Sequence, residues 1–397
     1  MEGGQQRYIV DKMVFLPNEL VDRILSESVL RKRDYCNIAL ASHDFCALAR
    51  RYLFEDVTVE CAYCTDESDP ARALTDTARR RLRFFRTHPD LAALVRGAYR
   101  VDGSETFRPG DPDYQVKAIG RIWDAIYAVF PRLEQVWDEF LVPPSTLPAC
   151  TSTLRSVRSL WLTNEAFTWL RHCRNLRSLN CSFTSEGAPV LPSPLPFSLE
   201  EIRLDELYGP PTPFLDLVRL SSSTLRSLDL CGRLAILTDF SGLPALETLR
   251  LSVCGGRGGG PPPPHDPPPL RASLPTLTRL KTLVVVQHFS WRRSGGVFDV
   301  IAHPDIVALF PKTLERIECD DEPTLEQCKS LFGAPAGTSV RALGVLGRAD
   351  VVRAPFHHSD NCVFVSHTVL TYQMRNTTEA RRWCQERGIA WRKARLG

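Results

Sequence analysis

The sequence predicts an α/β chain in which three short N-terminal helices precede an irregular solenoid. The solenoid should have a parallel sheet on one side and helices or loops on the other. Two observations lead to this prediction. The hexapeptide pattern Leu-x-x-Leu-x-Leu recurs along most of the 397 residues, and a helical spacing of apolar residues occupies residues 14–60.

The segment 14–60 has the apolar spacing of three short helices. Pro17 suits the first turn of the first helix, because proline lacks an N–H that this turn leaves unpaired. Ser42 is a suitable N-cap for the third helix. Helices this short cannot bury all their apolar surface among themselves, so we expect part of it to contact a partner or the rest of the chain. The apolar positions are Val21, Ile24 and Leu25, then Tyr35, Ile38 and Ala39, then Phe45, Leu48, Ala49, Tyr52 and Leu53.

This segment resembles the F-box. Its opening matches in Leu16-Pro17, Glu19-Leu20 and Ile24-Leu25, and its close matches in Leu40-Ala41-Ser42, Leu53-Phe54 and Val57-Thr58-Val59. Phe45 stands where the family usually has tryptophan. The resemblance implies binding to a Skp-type adaptor, which hangs on a cullin scaffold in an SCF ubiquitin ligase. It also implies that the adaptor is contacted by Leu16, Pro17, Leu20 and Ile24. The alternative is a plain helical hairpin that caps the domain behind it.

The hexapeptide pattern is the signature of leucine-rich repeats. A single strand cannot bury its inward side chains, whereas strands stacked in parallel build a continuous core. The spacing between matches varies from 19 to 34 residues, so we expect loops of uneven length. Weaker candidates precede the clear matches at Leu94–Val101 and Leu133–Val136. The eight clear matches begin at Val157, Leu176, Leu199, Leu225, Leu246, Leu280, Leu314 and Val340.

Several segments between the repeats have helical patterns, namely Glu165–Cys173, Pro213–Leu220 and Thr324–Phe332. Residues 255–269 are rich in glycine and proline and predict a disordered insertion, because this composition cannot pack a core. A docking site for a proline-reading domain is the less favoured interpretation of that segment.

The C-terminal part predicts two further strands, at Val363–Val365 and Val369–Tyr372, and a last helix. This helix should start after Thr377 or Thr378 and end at about Arg387, with Gly388 as its stop. Trp383 and Trp391 are expected to cover the open end of the solenoid. The predicted organisation is a leader at 1–13, the F-box at 14–60, a connector with the first weak repeats at 61–132, the solenoid at 133–375, and the capping helix and tail at 376–397.

Composition narrows the range of partners. Lys and Arg number 49 against 46 Asp and Glu, a net charge of +3, which does not argue for nucleic acid or membrane. No apolar stretch approaches the ~18 residues that a membrane span needs. Apart from Cys61 and Cys64, the 13 cysteines are scattered without paired spacing, and the first residues, which have no apolar run, predict no signal peptide. Reduced thiols in a cytoplasmic or nuclear protein are therefore expected.

No catalytic, cofactor or metal constellation stands out, so we expect a non-enzyme without a cofactor. Cys61 and Cys64 form a Cys-x-x-Cys pair but lack the second pair of ligands that zinc requires. His357, His358 and His367 are too awkwardly placed to favour a metal site, since adjacent residues of a strand point to opposite faces. The arginine-rich helix 77–87 is interpreted as a solvated face, with a nucleic-acid patch as the alternative.

The predicted function is substrate recognition in an SCF-type ubiquitin ligase, with the adaptor on the F-box and a protein substrate on the repeats. The alternative is a leucine-rich-repeat interaction scaffold without a ligase role. The third and fifth residues of each match should face away from the core, Ser159 among them. From these positions, the candidates for substrate binding are Trp161, Asn180, Arg203, Asp229 and Arg250. The alternative for Trp161 is packing under a neighbouring loop. For Arg203 and Arg250, neutralisation by Glu201 and Asp229 is the favoured interpretation over a grip on an acidic or phosphorylated segment.

Overall fold

A computed structural model describes most of the chain. The described residues are 18–27, 30–61, 74–102, 112–162, 164–183, 195–205, 212–231, 238–253, 268–287, 303–319, 325–333, 342–346 and 379–394. Several predictions lie outside them: the leader, Leu16 and Pro17, Cys64, residues 255–267 of the predicted insertion, the histidine cluster and the two strands proposed between 363 and 372. The last two residues of the insertion predicted at 255–269 are not disordered, because Pro268 and Pro269 form the first turn of a helix, Pro268–Ser273.

The described strands form one parallel sheet of twelve, in which spatial order follows chain order from β1 to β12. Parallel neighbours need a crossover between them, and each crossover here returns the chain to the start of the next strand. The strands are β1 Asp56–Cys61, β2 Gly97–Asp102, β3 Gln135–Leu141, β4 Ser156–Leu162, β5 Ser178–Phe183, β6 Glu201–Asp205, β7 Ser227–Cys231, β8 Thr248–Val253, β9 Thr282–Gln287, β10 Arg316–Cys319, β11 Ala342–Leu346 and β12 Ala390–Ala394.

Helices occupy the N-terminal segment and several crossovers. The helices predicted at Glu165–Cys173, Pro213–Leu220 and Thr324–Phe332 are confirmed as α7, α8 and α11. The helical bounds are α1 Asn18–Glu27, α2 Lys32–Ala41, α3 His43–Phe54, α4 Asp76–Thr87, α5 Pro89–Ala92, α6 Pro112–Val129, α7 Asn164–Leu170, α8 Thr212–Leu220, α9 Pro268–Ser273, α10 Pro304–Val307, α11 Leu325–Gly333 and α12 379–386, with 3-10 turns at Ala149–Ser152 and Leu274–Thr276.

The eight hexapeptide matches all contain strands of the sheet, so the predicted leucine-rich-repeat solenoid is confirmed at the level of the fold. The fourth residue of the pattern aligns across neighbouring strands, and its side chain points into the core. These aligned residues are 0–2% exposed. They are Leu179, Ile202, Leu228, Leu249, Leu283 and Ile317.

The predicted alignment of β4 was wrong by three residues. Val157 pairs with Leu179, so it is the fourth residue of its repeat, and the first is Leu154. Ser159 consequently points into the core, where it is 1% exposed, and not onto the free face. The error arose because the spacing from Val157 to Leu162 also satisfies the pattern by chance. A register shift between Ser159 and Leu162 interrupts the strand where that false match lies.

The sheet begins earlier than the clear repeats do. The weak candidates at Leu94–Val101 and Leu133–Val136 contribute β2 and β3, and Val57 and Val59 at the close of the N-terminal segment lie in β1 with exposures of 4% and 1%. Helix α3 ends at Phe54 and β1 starts at Asp56. The three N-terminal helices α1–α3, which we call the helical head, therefore lead directly into the first repeat, or coil, of the solenoid.

The core contains a buried ion pair between β2 and β3, near the N-terminal end of the sheet. Arg100 of β2 and Asp138 of β3 occupy the sixth position of their repeats, which elsewhere is mostly apolar. The guanidinium Nε of Arg100 lies 2.6 Å from Oδ1 of Asp138, and the two side chains are 2% and 0% exposed. The indole N–H of Trp123, from α6, donates to the other carboxylate oxygen. Asp138 thus joins two strands to the helix that covers them.

The last helix ends as predicted at Gly388, which has a φ of +69°. The amide of Gly388 donates to Gln385 O at 3.1 Å and that of Ile389 to Cys384 O at 2.9 Å, the paired bonds of a Schellman cap. The chain then enters β12, a strand that the sequence did not predict, and Trp391 pairs with Leu343 there.

Asp138→Ala should strongly destabilise the protein. The substitution leaves Arg100 charged in the core, and breaking a buried pair in this way costs about 3–5 kcal/mol. Urea unfolding measures the change in the free energy of unfolding. Glu200→Ala, which breaks the solvent-accessible contact to Arg177 at 3.0 Å, is the matched control and should cost less than about 1 kcal/mol. Equal effects of the two substitutions would refute the structural role of the buried pair.

Candidate interaction surfaces

The three N-terminal helices pack through a pair of stacked tyrosines. Tyr35 of α2 and Tyr52 of α3 have ring centroids 5.4 Å apart and nearly parallel planes. The hydroxyl of Tyr35 donates to Leu25 O at 3.1 Å, and that of Tyr52 donates to Asp22 Oδ1 at 2.7 Å, which ties both helices to α1. The predicted cap is confirmed, since Ser42 Oγ accepts from Phe45 N at 3.0 Å.

These helices leave large apolar side chains exposed. In α1, Val21 and Leu25 are buried, whereas Leu20 and Ile24 remain 43% and 47% exposed. Leu40, at the end of α2, is 85% exposed. The structure therefore places two of the four residues predicted to bind an adaptor on an accessible apolar face. Their identification as part of an F-box remains a prediction.

A second surface is the sheet face opposite the core. Between the fourth and sixth residues of each repeat lies one residue that points outward, and these residues align from strand to strand. Their exposure is intermediate, in contrast to the fully buried positions on either side of them in sequence. We call this set the sheet-face row; it consists of Tyr99, Trp137, Arg158, Asn180, Arg203, Asp229 and Arg250.

The row brings together four of the five residues predicted for substrate binding. Asn180, Arg203, Asp229 and Arg250 are successive neighbours on β5 to β8. Asp229 Oδ2 lies 3.4 Å from Nε of Arg203 and 3.5 Å from Nε of Arg250, so one carboxylate sits between two guanidinium groups. Trp161 lies on β4 opposite Phe140 but outside the row, whose β4 member is Arg158.

The sequence did not predict the N-terminal end of the row, which consists of Tyr99, Trp137 and Arg158. The rings of Tyr99 and Trp137 have centroids 6.4 Å apart, and Cζ of Arg158 lies 5.7 Å from the Trp137 ring. Burial, followed by the nearby carboxylate of Asp56, raises the pKa of Tyr99 to about 12, so its hydroxyl stays protonated. Alignment of β4 from Leu154 places Arg158 in the row.

The helical head meets the sheet at its first edge. The Lys32 ammonium group donates to Asp56 O at 3.0 Å, Arg81 of α4 donates to Thr58 O, and Thr75 donates to Glu60 O. These bonds satisfy carbonyl groups of β1 that have no neighbouring strand. The arginine-rich helix α4 is therefore partly structural: Ala78, Leu82 and Phe85 are buried, and one of its arginines caps the sheet edge.

The described cysteines offer no activated thiol among the groups with resolved shifts. Burial raises the pKa of Cys150 and of Cys173 to about 12, and it also raises the pKa of Cys328 and Cys384. A thiol must ionise to act as a nucleophile or a metal ligand, so these four groups are poorly suited to either role. Among the described residues, no three His, Cys, Asp or Glu side chains cluster as metal ligands would, and no helix is long and apolar enough to cross a membrane.

Neither a protein-family model nor a curated protein matches the chain. Among solved structures, it is similar to the leucine-rich repeat-containing protein LegL7 from Legionella pneumophila. The two share 12% sequence identity, the match covers 81% of this chain and 90% of that chain, and the TM-score is 0.33. The leucine-rich-repeat fold is assigned from the parallel sheet and its repeated hexapeptide, not from this similarity.

Cys150 and Cys173 should resist alkylation in the native protein. Both are buried with raised pKa values, whereas Cys36 is exposed on α2. Iodoacetamide at pH 7.5 should modify Cys36 at least about tenfold faster than either buried thiol, because the thiolate is the reactive form. Peptide mapping by mass spectrometry reads the three rates. Comparable rates in the folded protein would contradict the described burial.

Proposed function

We propose that the protein is the substrate-recognition subunit of an SCF-type ubiquitin ligase. In this proposal, the F-box-like helices α1–α3 bind a Skp-type adaptor and, through it, a cullin scaffold. The repeats hold a protein substrate. The protein works in the cytoplasm or nucleus and contributes no catalytic group, since its role is to raise the local concentration of substrate near a conjugating enzyme.

The observation that carries the proposal is the apolar face of the helical head. Leu20 and Ile24 lie one turn apart on α1 and are about half exposed, although the same helix buries Val21 and Leu25. Exposed leucine and isoleucine side chains on adjacent turns form a docking ridge for a partner. The resemblance to the F-box independently assigns these two residues to adaptor binding.

The alternative function is a leucine-rich-repeat scaffold whose head merely caps the solenoid. The contact of Lys32 with Asp56 O and the direct passage from α3 into β1 favour a capping role. Capping and adaptor binding use different surfaces of the head, so the contacts at β1 do not conflict with docking on α1. Adaptor binding distinguishes the two functions.

Leu20→Asp with Ile24→Asp should abolish co-purification of the Skp-type adaptor with the full chain. Buried apolar anchors at the centre of an interface typically contribute more than about 2 kcal/mol each. Both side chains are exposed in the isolated chain, so the melting temperature should change little. The matched control is Ser26→Asp, which adds a charge at another exposed position of α1 and should preserve binding.

Two results would contradict the proposal. One is that the wild-type chain fails to bind the adaptor when both are co-expressed. The other is that the double variant binds it as well as the wild type does. In either case the scaffold function would be favoured.

A further inference from the structure

We propose that a cavity between the helical head and the first edge of the sheet binds a small phosphate monoester whose organic part is aromatic or otherwise apolar. The inference goes beyond the proposed function and does not rest on it. It is carried by three observations: the size and position of the cavity, the cations that line it, and the aromatic side chains of its wall. We call this space the edge cavity.

The edge cavity lies where four elements meet. Its volume is about 460 Å³, within the range of about 300–1,000 Å³ that is usual for small-molecule sites. Residues of α2, α3, β1 and α4 line it. The α4 residues form one stripe of that helix, since Thr77, Arg80, Arg81 and Phe84 follow the spacing i, i+3, i+4, i+7.

Three cationic side chains line the cavity without a carboxylate partner in the part of the chain that the structure describes. Their hydrogen bonds go to main-chain oxygens: Lys32 donates to Asp56 O at 3.0 Å, Arg80 to Asp76 O at 3.4 Å, and Arg81 to Thr58 O. A carbonyl oxygen does not neutralise a cation, and one such bond leaves a guanidinium group with further N–H donors. These donors and charges are therefore available to an anion.

The acid in the lining, Asp56, has its carboxylate engaged on the sheet. That carboxylate lies beside Cα of Gly97 and accepts a hydrogen bond from the Tyr99 hydroxyl. Asp76, the acid of α4, is paired with Arg79. The lining carries three positive charges against one negative, a net charge of +2. This balance matches the charge of a phosphate monoester, which is about −2 at neutral pH.

A phosphate group also suits the arrangement of donors better than a carboxylate does. A dianion interacts with each cation about twice as strongly as a carboxylate at the same distance. Its three terminal oxygens can accept from separate donors. Lys32 on α2 and the arginines on α4 offer such donors from two elements.

Aromatic side chains make the wall of the cavity apolar. Phe54 and Phe85 pack edge to face, with ring centroids 5.9 Å apart. Phe84 lies beside Phe85 and remains 40% exposed although it is large and apolar. A ligand group that covers Phe84 would remove this area from water, which is favourable. The ligand is therefore expected to join an apolar group to its phosphate.

Isothermal titration calorimetry of the purified full chain with naphthyl phosphate tests the proposal, without any adaptor. A dissociation constant below about 1 mM is expected for a probe of this size. Inorganic phosphate lacks the apolar group, and naphthoate carries a single negative charge. Each should therefore bind at least about fivefold more weakly than naphthyl phosphate.

Lys32→Gln/Arg80→Gln should weaken binding of naphthyl phosphate at least about tenfold, because it removes two charge-assisted contacts. Arg81 is retained, since it also caps the sheet edge. Phe84→Ala should weaken binding at least about threefold through the loss of apolar contact.

The matched control is Arg83→Gln/Arg86→Gln, which removes two exposed arginines of α4 that do not line the cavity. It should change the affinity less than about twofold. Melting temperatures check folding. If the double variant in the cavity is unstable, Arg80→Gln alone provides the comparison, because Arg80 is exposed and its contact with Asp76 O lies within α4.

The proposal is overturned by absence of measurable binding, by equally tight binding of naphthoate, or by equal losses in the cavity variant and the control variant. Tighter binding of a phosphotyrosine pentapeptide than of naphthyl phosphate would overturn the assignment to a free small molecule. The adaptor is absent from this experiment, so its outcome is separable from that of the ligase proposal. Adaptor binding without binding of naphthyl phosphate refutes this inference alone, and the converse refutes the ligase role alone.

Discussion

The fold depends on one constraint: no strand of the solenoid can bury its inward side chains without the next strand beside it. Leu179, Ile202 and Leu228 are fully or almost fully buried because each is flanked by its counterpart on the neighbouring coil. Stability of such a stack is therefore approximately a sum of nearest-neighbour contacts, and each end needs a different solution. The first edge is covered by side chains of the helical head and α4, and the last described helix leads through a Schellman cap into β12.

The exception within the core lies close to the first edge. Arg100 and Asp138 occupy inward positions that strands β5 to β10 fill with cysteine, leucine or valine. A buried ion pair seldom adds net stability, because desolvation offsets the attraction between its charges. The ion pair does require one register between β2 and β3. A slip of one residue would separate the two charges and expose the apolar residues beside them. The indole of Trp123 adds α6 to the same arrangement.

The strands and the outward-facing residues were predictable from the sequence where the hexapeptide pattern is complete. The strands at Leu179, Leu228 and Leu249 followed directly from the hexapeptide, and four outward residues aligned as expected. The early coils were harder, because Arg100, Asp138 and Ser159 replace the final apolar residue of the pattern and erase the signal that sets the register. The pairing of Trp137 with Arg158 depends on that register, so the sequence pattern alone did not reveal it. Strand β12 follows a helix and lacks a full repeat, which explains why it was missed.

Because α3 leads directly into β1, the strand on which a side chain lies determines its distance from the N-terminal helices. Each coil advances about 4.8 Å, so Arg158 on β4 lies about 14 Å along the sheet from β1, and Arg250 on β8 lies about 34 Å from it. These separations are counted in whole coils and do not depend on the lengths of the crossovers. Duplication or loss of one early repeat would shift every later side chain relative to the helical head by about 4.8 Å. Insertions within crossovers, by contrast, would leave the spacing intact. Gene-level changes in repeat number and in loop length therefore have separate geometric effects in this molecule.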